Sequence, residues 1–119
     1  MQMLCRLAAW IVAIAIFVLH VVPATHRPVT SASHNFEHLI IFVALGMAFG
    51  LGYHLRSRLL VVALPAYCLV VEAVQLWVPG RHARLSDFLI NTVSALIGLG
   101  AAFVAARSLL PRAWFAEKR

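Results

Sequence analysis

Four apolar runs, 7–22, 38–53, 59–78 and 88–106, occupy most of a 119-residue chain and limit its possible folds more than any other feature. Each is close to the ~20 residues that an α-helix needs to cross a hydrocarbon core. Inside lipid the backbone must satisfy its own hydrogen bonds, so only helices and closed barrels can span it. These runs are too long and continuous for barrel strands and show no alternation of polar and apolar residues. The expected fold is therefore all-α, a four-transmembrane-helix bundle forming a single domain over 1–119. The chain is 63% hydrophobic, against roughly 45–50% in soluble domains, so no separate soluble domain fits beside the spans.

The formal net charge of +6 does not point to nucleic acid. That reading needs a basic face on a folded domain, and here the arginines fall between the apolar runs, where they set topology and meet lipid headgroups. Arg6, Arg56, Arg58, Arg107, Arg112, Lys118 and Arg119 lie on one side of the bundle, and Arg27, Arg81 and Arg84 on the other. The positive-inside rule then places both termini and the middle connection in the cytoplasm, with the first and third connections outside. Val22-Pro23-Ala24 would also suit a signal cleavage site, but the first run is longer than most signal cores. A retained span is therefore favoured, in a multi-pass protein.

Cys5 and Cys68 are far apart and read as ordinary apolar residues, with no disulfide or zinc spacing. His34 and His38 are one helical turn apart, but no cysteine is near and no carboxylates sit at fixed short spacing. No metal and no cofactor are expected. Small residues recur at four-residue spacing in the second run (Gly46, Gly50) and the fourth (Ser94, Gly98, Ala102, Ala106). Such ladders allow close helix approach, and packing within one chain is the favoured use.

The polar residues of the last two runs collect around a single turn. Glu72 and Gln75 lie three apart near the end of the third run, Pro79-Gly80-Arg81 makes the turn, and Asp87 and Asn91 lie four apart at the start of the fourth. Burying such groups in a bilayer costs several kcal/mol each unless they are paired. At these spacings each pair shares a helix face, and the short connection makes the two helices antiparallel neighbours. Ser86 or Asp87 is placed to cap the fourth helix, Pro65 falls near the start of the third, where a missing N–H costs least, and Arg81 and Arg84 sit above the polar faces. His38, after Glu37, starts the second run at the same level. His26 and His82 read as solvated loop residues.

The order Glu72, Gln75, Pro79, Gly80, Arg81, Asp87, Asn91 resembles the core signature of the VanZ-like family, and the helix start His38-L-I-I-Phe42 through Gly46 is similar to that family's as well. The match covers about 35–98. Members often carry an Asp-Lys pair where this chain has His34-Asn35, and a glycine where it has Ser94-Ala95. The resemblance implies a small polytopic protein of the bacterial cytoplasmic (inner) membrane, without a cofactor. The family is named for a protein linked to glycopeptide (teicoplanin) resistance.

Three functions are consistent with these residues. The favoured one is a non-catalytic cell-envelope module in which Arg81 and Arg84 bind an anionic lipid or lipid-linked envelope precursor, with Gln75, Asp87 and Asn91 completing the pocket. The second is a structural membrane subunit whose polar cluster clamps the helices, with Glu72 bonded to Arg81 or Asn91. The third is an enzyme acting on a lipid-linked substrate, with Glu72 and His38 as catalytic candidates and Arg81 stabilising charge. A homo-oligomer or a membrane partner protein stays open.

Overall fold

The computed structural model describes residues 2–26, 31, 33–53 and 57–109. Arg27, Arg56, Arg112, Lys118 and Arg119 of the charge count lie outside them. Four helices follow in order: α1 Gln2–Val21, α2 His34–Gly52, α3 Ser57–Val74 and α4 Leu85–Leu109. All four regions are long and apolar enough to cross a membrane, and most of their residues face outward, as lipid-facing helices require.

The helices begin earlier than the apolar runs do. α1 starts at Gln2 because the polar head of Arg6 is satisfied by groups at the end of α2. Its Nε donates to the Gly52 carbonyl (2.9 Å), and its guanidinium lies 5.2 Å from the centre of the Tyr53 ring. α2 starts at His34 because Ser33 caps it, the Ser33 hydroxyl accepting from the Phe36 N–H at 3.4 Å. Glu37 in the first turn complements the helix dipole.

α4 starts at Leu85, so Asp87 sits inside the first turn and neither it nor Ser86 is the cap. The carboxylate at this helix start comes instead from Glu72, as described below. Pro65 also departs from expectation. With α3 beginning at Ser57, it lies well inside the helix, beyond the first turn whose N–H groups are unpaired in any case. It cannot donate to the carbonyl four residues back, a defect that membrane helices tolerate through local adjustment. α3 ends in a tighter 3-10 turn at Gln75–Trp77, and Gly80 at φ 74° supplies the left-handed residue of the connection to α4.

The tightest packing joins α2 to α4, with α1 against α2 and α3 against α4. A Cβ on Gly46 would collide with the Ala95 carbonyl, and one on Gly98 with the Val43 carbonyl. Each helix thus lays its backbone directly on the other. Ser94, Gly98, Ala102 and Ala106 are all buried, so the small-residue ladder of α4 is used within the chain. Phe42, Leu45, Ile16, Leu64, Cys68, Val71 and Leu99 fill the remaining core.

Candidate functional site

The end of the bundle that carries the α3–α4 turn also receives the last turn of α1 and the first turn of α2. Polar side chains from all four helices meet there. Gln75, Glu72, Asp87, Asn91, His38 and His20 are all buried.

Glu72 bonds to the chain that leaves its own helix. Its Oε1 accepts the backbone N–H of Arg84 (2.8 Å), and its Oε2 faces the Gln75 amide at 3.5 Å. Arg84 immediately precedes α4, so a negative group stands at the positive end of that helix dipole. The Arg84 side chain remains exposed. Arg81 fastens the turn to α1. Its Nε and one terminal nitrogen donate to the Val22 carbonyl (3.2 and 3.0 Å), and that nitrogen also donates to the Leu19 carbonyl (2.7 Å). These are carbonyls that the end of α1 leaves without helical donors, and a cation is favoured there by the dipole.

One turn deeper, His38 Nδ1 donates to Asn91 Oδ1 at 2.7 Å, joining α2 to α4. Above it, His34 Nε2 donates to Asp87 Oδ2 at 3.2 Å, and Ser86 donates to Asp87 Oδ1 at 3.3 Å. The rings of His34 and His38 are 4.3 Å apart. His20, whose Nδ1 donates to the Ile16 carbonyl at 2.7 Å, lies edge-on to His38 at 5.2 Å. The histidines thus run from an exposed position, His34, to two buried ones.

A cavity of about 320 Å³ opens over this cluster, lined by His34, Gln75, Gly80, Arg81, His82, Arg84 and Asp87. Of the residues expected at a binding site, Arg81, Arg84, Gln75 and Asp87 line it. Asn91 is fully buried beneath and serves His38. The catalytic candidates Glu72 and His38 are not among the lining residues, and Glu72 meets the Arg84 backbone and Gln75 rather than the Asn91 side chain. His82 is a lining residue as well as a solvated one.

Sequence reasoning missed His34 as a site residue, although its position one turn before His38 placed it on the same face. It missed His20 entirely, since a single histidine near the end of an apolar run carries no spacing signal. Among the described residues no group of three His, Cys, Asp or Glu side chains is arranged to hold a metal ion. The cavity presents Arg84, His82 and the His34–Asp87 pair to a ligand, while Arg81 in its wall is held on the α1 carbonyls.

A family model described as VanZ/LLP1 matches residues 6–106. No curated protein matches the chain, and no solved structure does. The chain belongs to the VanZ/LLP1 family.

Proposed function

We propose that this VanZ/LLP1 family member is a non-catalytic module of the bacterial cytoplasmic membrane. It binds an anionic group, the phosphate of a lipid or of a lipid-linked envelope precursor, in the cavity over the α3–α4 turn. The observation that carries this reading is the composition of the cavity. Arg81, Arg84, His34 and His82 line it together, while Asp87, the one carboxylate among its described lining residues, is bonded to His34. The positive end of α4 is already met by Glu72 through the Arg84 N–H, so the ligand's charge falls to the lining side chains. Several of its lining residues, Gly80, Arg81, His82 and Arg84, lie between the candidate spans of α3 and α4, which in a bilayer would bring the cavity near the headgroups, where arginine meets phosphate.

The clamp function is compatible with this one because different residues perform it. Glu72 and Arg81 fasten backbone and His38 holds Asn91, leaving Arg84, His82 and the His34–Asp87 pair to face a ligand. Catalysis by Glu72 and His38 requires both at the cavity beside Arg81, and neither lines it.

Arg84 is the residue to test, since removing Arg81 would also free the end of α1. Lipid mass spectrometry on gently purified protein is expected to find a phosphate-bearing lipid with the wild type that is depleted in Arg84→Ala. Identical lipid profiles would sink the proposal. A link to teicoplanin resistance would run through envelope-precursor binding at this site. Cells carrying Arg84→Ala should then differ from wild type in teicoplanin susceptibility.

A further inference from the structure

A second cavity, of about 370 Å³, lies at the opposite end of the bundle between α1, α2 and α3. The helix packing creates it. α2 is committed to α4 and α1 to α2, while α3 leans on α4 and makes little contact with α1 or α2. Trp10, Phe49, Tyr53, Leu60, Ala63 and Tyr67 form most of the resulting crevice. The polar atoms of its walls are already engaged. The Tyr67 hydroxyl donates to the Ala13 carbonyl at 2.5 Å, and Trp10 Nε1 donates to the Tyr53 hydroxyl at 3.0 Å. An occupant therefore meets hydrocarbon and aromatic surface.

The mouth differs from the walls. Arg58, exposed, directly precedes the lining residue Leu59, and the Arg6 guanidinium lies over the Tyr53 ring at 5.2 Å. From Leu59 to Tyr67 the crevice follows α3 inward for about 12 Å at the helical rise of ~1.5 Å per residue. An apolar slot of that depth, with a Trp–Tyr rim, the Arg6 guanidinium over the Tyr53 ring and Arg58 exposed at the same end of α3, matches a lipid with a negative headgroup.

We infer that the crevice is a binding site for one acyl chain of an anionic phospholipid, from the leaflet at the N-terminal end of α1, with its headgroup against Arg58 and Arg6. A second copy of the chain is a poorer occupant. A two-fold interface through this crevice is self-complementary and would bring the Arg6 and Arg58 of each copy to the same rim, like charge against like. The inference does not rest on the reading of the polar cavity, which lies at the other membrane surface.

Native mass spectrometry of the full chain in mild detergent tests it, with phosphatidylglycerol and phosphatidylcholine titrated separately. Wild type is expected to retain phosphatidylglycerol preferentially. Ala63→Phe, which fills the slot, should lose that retention. Arg58→Gln should weaken phosphatidylglycerol about fivefold, the worth of one cation near an anionic surface, and leave phosphatidylcholine unchanged. Arg58 is exposed, so its variant is informative even if Ala63→Phe fails to fold. Equal retention of both lipids by wild type overturns the inference. So does a wild-type dimer that Ala63→Phe makes monomeric, or a loss of phosphatidylglycerol confined to Arg84→Ala, which would assign the lipid to the other cavity.

Discussion

A carboxylate near the end of a membrane helix is tolerated only with a good partner, and Glu72 takes the N–H that precedes the next helix. A hydrogen bond to a charged group is worth about 1.5–3 kcal/mol. Glu72→Ala should therefore cost about that much in stability, whereas Glu72→Gln should cost less, because its amide oxygen still accepts from Arg84. Thermal unfolding in detergent measures both, and equal losses would show that this bond does not hold the turn. The His38–Asn91 bond is shorter (2.7 Å) and fully within the span, yet such bonds in membranes have measured coupling of only about 0.6 kcal/mol on average and about 1.7 at most. A double-mutant cycle of His38→Phe and Asn91→Leu should fall in that range, and a coupling near zero would remove His38–Asn91 from the clamp. The sequence made Glu72, Gln75, Asp87 and Asn91 visible as a group because polar residues in apolar runs stand out. It could not reveal their partners. The donor to Glu72 is a backbone N–H, which every non-proline residue has, and His34 meets Asp87 across 53 positions of chain with no local pattern.

At the scale of whole helices, the bundle is organised by the contact of α2 with α4. Hydrophobic burial does little to join helices in lipid, where close packing must act instead. Gly46→Ala would drive a methyl into the Ala95 carbonyl, an overpacking that costs about 1–3 kcal/mol or more. Gly100 is the control. A Cβ there meets nothing within 4 Å, so Gly100→Ala should be neutral or stabilising by up to ~1 kcal/mol through helix propensity. Unfolding of the two variants in the same detergent separates packing from propensity, and equal behaviour would contradict the α2–α4 contact. The glycine ladder was legible in advance because its period is the helix's own. The helix starts were not, since they depend on distant groups: Arg6 needs the Gly52 carbonyl and the Tyr53 ring before α1 can extend to Gln2, and α4 can begin at Leu85 because Glu72 reaches Arg84 from another helix.

Across the whole molecule, α1 is fastened at both ends by arginine bonded to backbone carbonyls, Arg6 to Gly52 at one and Arg81 to Leu19 and Val22 at the other. The two cavities lie at these opposite ends, so the side each faces decides which lipids it can meet. Four spans return the chain to its starting side, and the arginines divide unequally. Arg6, Arg58 and Arg107 stand at the end holding the apolar crevice, and Arg81 and Arg84 at the polar cavity, while the sequence adds Arg56 and the basic tail to the first group. The positive-inside rule predicts a cytoplasmic side for that group, the side on which anionic phospholipid gives a membrane its negative surface potential. On that prediction the polar cavity would face outward, where a lipid-linked envelope precursor would be exposed. His82 is exposed at its rim, Cys5 is half-buried at the far end, and Cys68 is buried. A His82→Cys variant in intact cells should react with a membrane-impermeant thiol reagent, while Cys5 should react only after permeabilisation. The reverse pattern would turn the polar cavity toward the cytoplasm and remove the outer-surface precursor as its ligand.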